Sequence, residues 1–362
     1  MAPRIIISGG GTGGHIFPAI AIANEVRRRF ADAEILFVGA VGRMEMEKVP
    51  EAGYEIVGLP IQGLQRKQIA ANLALPLKLI SSVLKARKII RDFMPDAAVG
   101  VGGYASGPML LACRLAGVPY LIQEQNSYAG LTNKWLAAGA AKICTAWPGM
   151  DTYFPAEKIV LTGNPVRQQI KNISLTQAEA QAVFNLEPGK PTLLVTGGSL
   201  GARTLNQATY AGLGQLHKAG IQLIWQTGKH WEANTPVPQQ AGVWSSAFID
   251  KMEVAYAAAD VVVGRAGALT LSELAVLGKA AILVPSPNVA EDHQTKNAMS
   301  LVRNKAALLV ADCDAPQRLI STAKDLLQNE ELRGQICFII AKLALPNADR
   351  LIVDELLSII NS

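Results

Sequence analysis

Arg4-Ile5-Ile6-Ile7-Ser8-Gly9-Gly10-Gly11-Thr12-Gly13-Gly14-His15-Ile16-Phe17-Pro18 is the stretch on which the fold turns. A β-branched run reads as a buried strand, glycines follow it without a spacer, and a helical pattern runs from Pro18 to Phe30. Strand, glycine turn and helix in that order open a doubly wound α/β domain. Glycine permits φ > 0 and close backbone approach to a ligand, and the helix N-terminus adds N–H groups and a positive dipole. A bare turn needs fewer than the five glycines in residues 9–14. Formally the stretch contains G-x-G-x-x-G, but the next strand ends Phe37-Val38-Gly39-Ala40 with no acid for a ribose hydroxyl. No Lys-Ser/Thr follows the glycines either, so a Walker A loop is excluded.

The same grammar repeats along the chain. Apolar runs at 34–39, 54–59, 97–102, 119–123, 142–146 and 158–162 alternate with helical stretches. It restarts at Thr192-Leu193-Leu194-Val195-Thr196 and continues through 221–227, 243–249, 260–263, 280–284 and 306–310. Continuous rather than alternating apolar strands imply parallel sheets covered on both faces. The chain has 362 residues, 50% hydrophobic and 17% charged, which suits two domains and excludes disorder. Gly163-Asn164-Pro165-Val166 reads as the linker. We expect an α/β fold of two doubly wound, Rossmann-like domains facing across a cleft, 1–164 and 165–345. The segment 346–362, a helix after Pro346, should pack back on the first.

Composition narrows the partners. No apolar run approaches the roughly 20 residues of a membrane-spanning helix, and the amino end reads as a strand rather than a signal peptide. Cys113, Cys144, Cys313 and Cys337 show neither C-x-x-C nor zinc spacing, so we expect no metal and a reduced compartment. Residues 1–164 carry 17 Lys/Arg against 12 Asp/Glu, whereas the remainder carries 17 of each. No basic, aromatic-interleaved stripe suggests nucleic acid.

A second glycine turn, Gly197-Gly198-Ser199-Leu200-Gly201, follows the first strand of the second half, and a third, Gly100-Val101-Gly102-Gly103-Tyr104, ends a strand of the first. Two halves that each open with such a turn suggest a ligand at the carboxyl ends of their strands. Polar groups gather at other strand ends: Glu124-Gln125-Asn126, Arg167, Arg265 through Glu273, and Asp292-His293-Gln294. Asp312-Cys313-Asp314 mimics a metal-binding D-x-D, but Pro316 at a helix start favours capping.

Taken together, Gly9–His15-Ile-Phe-Pro-Ala, Gly102-Gly-Tyr-Ala-Ser-Gly-Pro108, Glu124-Gln-Asn126, Gly163-Asn-Pro-Val-Arg167, Gly197-Gly-Ser199, Arg265-Ala-Gly-Ala and Asp292-His-Gln294 resemble the MurG family along essentially the full chain. Those are peptidoglycan N-acetylglucosaminyltransferases of the GT-B fold. The resemblance implies inverting transfer of GlcNAc from UDP-GlcNAc to the 4-hydroxyl of MurNAc in undecaprenyl-diphospho-MurNAc-pentapeptide, without a cofactor. It implies that the second domain holds the donor. Ser199 and Arg167 would lie at the phosphates, the Ile249 backbone at the uracil, and Ala268, Leu269, Thr270, Leu271, Ser272 and Glu273 around the nucleotide, Glu273 on the ribose. Gln294 and Asn126 would grip the sugar, and Thr12, Gly13, Gly14 and His15 would face the acceptor diphosphate and reacting centre. Leu200 and Gln123 depart from the glutamine and histidine common at those places.

The base for the acceptor hydroxyl is either His15, whose unperturbed pKa near 6.5 suits the task, or Glu124. A nicotinamide or flavin oxidoreductase explains only the first glycine turn. A non-catalytic sugar-nucleotide binder gives no reason for both His15 and Glu124. A UDP-GlcNAc epimerase or another lipid glycosyltransferase is the nearest enzyme alternative. A polyprenyl acceptor also implies work at the cytoplasmic face of the bacterial plasma membrane, as a peripheral protein. Residues 66–93 suit an anionic surface: Leu73, Leu75, Leu77, Leu79, Ile80, Val83 and Leu84 lie among Arg66, Lys67, Lys78, Lys85, Arg87, Lys88 and Arg91, with no acid from 56 to 91.

Overall fold

The computed structural model describes residues 2–62, 75–198, 201–235, 237 and 240–361. It divides into two compact units, residues 1–166 with 346–362, and residues 167–345.

The first unit is built on strands β1 (Arg4–Ser8), β2 (Glu34–Ala40), β3 (Glu55–Leu59), β4 (Ala97–Gly100), β5 (Tyr120–Glu124), β6 (Lys142–Thr145) and β7 (Ile159–Leu161). Among the described residues they form one parallel sheet in the order β3-β2-β1-β4-β5-β6-β7. β1 pairs with β2 through Ile5↔Ile35 and with β4 through Ile5↔Ala97, so strand order reverses between β1 and β4. Ligands of doubly wound sheets lie outside the carboxyl ends of strands at such a switch point. The glycine turns after β1 and β4 both fall there.

β1 shows why its residues must be apolar on both sides. Ile5 and Ile7 join a cluster with Ile16, Ile22 and Val26 of the helix Gly13–Arg29 and with Ile352, Val353 and Leu356 of the helix Ala348–Ile360. Ile6 faces the opposite cluster, with Ala86, Ile90, Met109 and Leu110. Burying a branched side chain of this size contributes roughly 1.5–3 kcal/mol. The carboxyl-terminal helix thus belongs to the first unit's core. Its hold is reinforced by Arg29, which bonds Asp354 and the Arg350 carbonyl. Hydrogen bonds from Arg28 and Arg29 outweigh burial and hold the Glu25 carboxyl down to about 2.

The second unit repeats the plan with β8 (Thr192–Thr196), β9 (Gln222–Gln226), β10 (Val243–Ser246), β11 (Val261–Gly264), β12 (Ala280–Leu283) and β13 (Leu308–Leu309). Among the described residues the parallel order is β10-β9-β8-β11-β12-β13, with the reversal between β8 and β11. Leu193 and Val195 pack on Leu205, Leu213 and Leu326, while Leu194 is buried on the other face. β8 and β11 therefore end side by side at the switch point, with Thr196 paired to Gly264.

Helix Leu75–Phe93 anchors itself through Ser82, Ala86, Ile89 and Ile90. The apolar residues expected to meet a surface split on it. Leu79 and Val83 pack on the core, whereas Leu77, Ile80 and Leu84 are 71%, 58% and 60% exposed. Lys85 is not a loose surface charge, because its Nζ donates to the Gly58 carbonyl at 2.7 Å. Arg66, Lys67 and Leu73 lie outside the described residues. No helix among the described residues is long and apolar enough to cross a membrane.

Candidate functional site

At the first switch point the two glycine turns touch backbone to backbone. Gly10 N donates to the Gly102 carbonyl at 3.2 Å, and a Cβ on Gly103 would lie 2.3 Å from the Gly10 oxygen. Only glycine allows that approach. Thr12 sits at the N-cap of helix Gly13–Arg29 in extended conformation, with no side-chain cap bond. Thr12 and Gly14 are exposed, Gly13 partly so. The start of this helix therefore keeps an anion-receptive end.

His15 lies in the first turn of that helix, half-buried. Its Nδ1 is 3.0 Å from the Gly10 carbonyl oxygen and 3.3 Å from Thr12 Oγ1. A carbonyl can only accept, so Nδ1 carries the proton and Nε2 carries the lone pair. Nε2 lies toward the second turn, 3.0 Å from where a Gly102 Cβ would be. This is the tautomer a general base requires.

Glu124 is different. It is 1% exposed, and both carboxylate oxygens are taken: Oε1 by Asn126 N at 3.0 Å and Asn126 Nδ2 at 3.2 Å, Oε2 by Gly130 N at 3.0 Å and Asn133 Nδ2 at 2.8 Å. A carboxylate offers about four lone-pair sites, and four donors fill them. This geometry disfavours Glu124 as the alternative base, since no oxygen can reach a substrate hydroxyl. It organises the loop from Gln125 to Asn133 and orients Asn126, which is half-buried at the strand end. Gln123 joins a buried amide cluster, donating to Asn164 Oδ1 at 3.0 Å and accepting from Gln125.

In the second unit, Glu273 sits in the helix Ala268–Leu277 and is 7% exposed. Arg167 donates to its Oε1 through Nε at 3.2 Å and Nη2 at 3.0 Å, and the buried Tyr256 hydroxyl donates to Oε2 at 3.1 Å. Burial pushes the Glu273 carboxyl above its usual range, against the opposing pull of Arg167 and then Tyr256. Burial likewise pushes the Tyr256 hydroxyl well up. Three of the roughly four lone-pair sites of Glu273 are filled, which leaves one for a ligand hydroxyl. Arg167, expected at a phosphate, is instead tied to this carboxylate.

Gly267 caps the same helix without a side-chain bond, and Ala268, Leu269 and Thr270 form its first turn. Ser272 Oγ turns back to the Ala268 carbonyl at 3.1 Å. Leu271 does not belong with a ligand: it is 0% exposed and its N–H bonds the Gly267 carbonyl, so it is a core residue. The turn after β8 is held by Gln226, whose Nε2 donates to the Gly198 carbonyl at 2.8 Å. Ser199 and Leu200 lie outside the described residues. Ile249 follows β10 and is 5% exposed; it makes no hydrogen bond among the described residues. Gln294 Oε1 accepts from Ser286 N at 2.8 Å, which turns its amide nitrogen the other way. Asp312 pairs with Arg265 at 2.6 Å and accepts from Thr204 at 3.0 Å, so it clasps the unit rather than forming half of a D-x-D metal site.

Residues not anticipated from sequence are Tyr256, Gln226, Asn133 and Glu45. Glu45 is 1% exposed and lies under the first glycine turn, Oε2 accepting from Gly11 N at 2.8 Å and Oε1 from Ala40 N at 3.0 Å. Gly39 is a signal that could have revealed it, because a Cβ there would lie 2.5 Å from Glu45 Cγ.

Comparison with known proteins places the chain in a family. Residues 5–145 match the glycosyltransferase family 28 N-terminal domain and residues 192–335 its C-terminal domain. The chain is 54% identical over 362 residues to a Parabacteroides distasonis protein, covering 99% of this chain and 98% of the relative. It is also 54% identical over 359 residues to one from Cytophaga hutchinsonii, covering 99% and 97%. Both relatives are named UDP-N-acetylglucosamine–N-acetylmuramyl-(pentapeptide) pyrophosphoryl-undecaprenol N-acetylglucosamine transferase. Among solved structures, Acinetobacter baumannii MurG superposes with a TM-score of 0.78 at 31% identity, covering 97% of this chain and 98% of that one.

Proposed function

The chain belongs to glycosyltransferase family 28, and from that premise we propose that it moves N-acetylglucosamine from UDP-GlcNAc to the 4-hydroxyl of MurNAc in undecaprenyl-diphospho-MurNAc-pentapeptide. The product is the disaccharide lipid of peptidoglycan synthesis. The observation that carries the reading is the pair of glycine turns at two sheet switch points, one of which holds His15 as the Nδ1–H tautomer.

In this mechanism His15 Nε2 takes the proton from the acceptor hydroxyl. The oxygen attacks the anomeric carbon from the face opposite UDP, inverting it. UDP departs with its new charge stabilised by N–H groups at helix starts, which need no reorganisation. The second unit holds the donor: Ser199 and the turn after β8 at the phosphates, the Ile249 backbone at the uracil, Ala268, Leu269, Thr270 and Ser272 around the nucleotide. Glu273 takes a ribose hydroxyl, and Arg167 with Tyr256 fixes Glu273 for that task. Gln294 and Asn126 contact the sugar. Thr12, Gly13 and Gly14 receive the acceptor diphosphate.

The acceptor's polyprenyl tail stays in a bilayer, so the enzyme works as a peripheral protein on the cytoplasmic face of the plasma membrane. Leu77, Ile80 and Leu84 recur at helical spacing on one exposed stripe, with Lys78, Arg87, Lys88 and Arg91 beside them. Basic residues near an anionic surface contribute roughly 1 kcal/mol each, and the apolar stripe inserts shallowly. Replacing Lys78 and Lys88 by glutamate, and sparing the tethered Lys85, should release the protein from anionic vesicles and slow use of the polyprenyl acceptor. Turnover of a short-chain, soluble acceptor should hold. Equal losses with both acceptors would mean that the helix serves folding alone.

A further inference from the structure

We propose that Glu45 raises the basicity of His15 through the peptide bond between Gly10 and Gly11. The inference rests on His15 being the base. Glu45 Oε2 accepts from Gly11 N at 2.8 Å, and His15 Nδ1 donates to the Gly10 oxygen at 3.0 Å. That N–H and that C=O are the two ends of one amide. The chain of contacts is therefore carboxylate, amide, imidazole, with a backbone peptide placed between an acid and a histidine.

Three observations make this a built arrangement. Glu45 is 1% exposed, and its other oxygen is fixed by Ala40 N at 3.0 Å, so the carboxylate cannot swing away. Gly10 lacks the Cβ that would lie 2.2 Å from Glu45 Cδ, so the carboxylate can come close to the peptide. No cation is ion-paired with Glu45 among the described residues, so its charge acts on the amide.

The physics is polarisation along a hydrogen-bond chain, which strengthens each member in a low-dielectric interior. A negative charge on the N–H side draws electrons toward the Gly10 oxygen, and that oxygen stabilises the imidazolium formed when Nε2 takes the acceptor proton. Nδ1 keeps its own proton throughout, and none passes to Glu45. The arrangement also fixes the tautomer and the ring plane. Other titratable groups on the surrounding elements are Glu124, engaged by Asn126, Gly130 and Asn133, Tyr104 in the turn after β4, and Arg43, Glu47 and Lys48 flanking Glu45. Of the acids among them, only Glu45 reaches the His15 amide contact through a single peptide.

The test is Glu45→Gln, read by ¹⁵N NMR of the labelled His15 ring and by the pH profile of turnover. Loss of the charge should lower the His15 pKa by about one unit, and the acid limb of kcat should move down with it. A weaker base should lower plateau kcat about 3- to 10-fold, with KM for UDP-GlcNAc unchanged. A folded variant whose imidazole titrates as in the parent overturns the relay. If the variant does not fold, the parent decides: the Nδ1–H tautomer at alkaline pH supports the relay, and the Nε2–H tautomer overturns it. Turnover retained in His15→Ala removes the base and the relay together. Turnover lost in His15→Ala with an unmoved imidazole in Glu45→Gln removes the relay alone.

Discussion

Replacing His15 by alanine should lower kcat by about 10²- to 10⁴-fold, the usual cost of deleting a general base, while UDP affinity measured by calorimetry stays at the parent value. The split follows from position. His15 belongs to the first unit, in the turn assembled from Gly10, Thr12 and Gly102, whereas the groups assigned to UDP belong to the second. The variant should fold, because His15 is only half-buried. His15→Gln is the sharper companion. Its amide nitrogen can still donate to the Gly10 carbonyl, but no imidazole lone pair remains, so it should be as inactive as alanine. Turnover within a few-fold of the parent in both variants would make His15 a structural residue of the helix start.

Glu124→Gln should unfold several degrees earlier than the parent and lose turnover in step. The amide replaces one acceptor oxygen by a donor, and each carboxylate oxygen now faces two N–H groups. Whichever way the side chain turns, two donors that are buried or partly buried lose their acceptor and meet another donor. An unsatisfied buried group costs roughly 1–3 kcal/mol, and a protein of this size loses about 2–4 °C per kcal/mol. A catalytic base would behave otherwise. Glu124→Gln would then keep the parent melting temperature and lose turnover alone, and that pattern would return Glu124 to the chemistry.

The contrast between these two residues shows what a sequence can carry. Arg4–Ser8 followed by Gly9–Gly14 is legible because the strand, the turn and the helix are contiguous, and each has a local physical signature. The sheet's reversal at β1 and β4 follows from that local order repeated. Glu124 is legible as a polar residue at a strand end, but its duty depends on Gly130 and Asn133 folding back over it. That return is a tertiary event with no local signal. Leu271 reads with its neighbours because the motif runs through it, yet the helix turns it inward. Glu45 escapes for a different reason. A dinucleotide ribose would need an acid at the end of β2, and none is there. Glu45 stands five residues after Ala40 and reaches back under the glycines. The exposed stripe of Leu77, Ile80 and Leu84 separates from Leu79 and Val83 only once the core has claimed the latter.

The central claim is a single-displacement transfer of GlcNAc to a lipid-linked muramic acid. It is tested most directly by incubating the protein with ¹³C-labelled UDP-GlcNAc and polyprenyl-diphospho-MurNAc-pentapeptide, extracting the lipid phase, and reading the anomeric coupling of the labelled sugar. Label should appear in the lipid as a β-linked GlcNAc on the MurNAc 4-oxygen, with release of UDP. Label that stays in the aqueous phase as free or epimerised sugar nucleotide, or an α-linked lipid product, would contradict it.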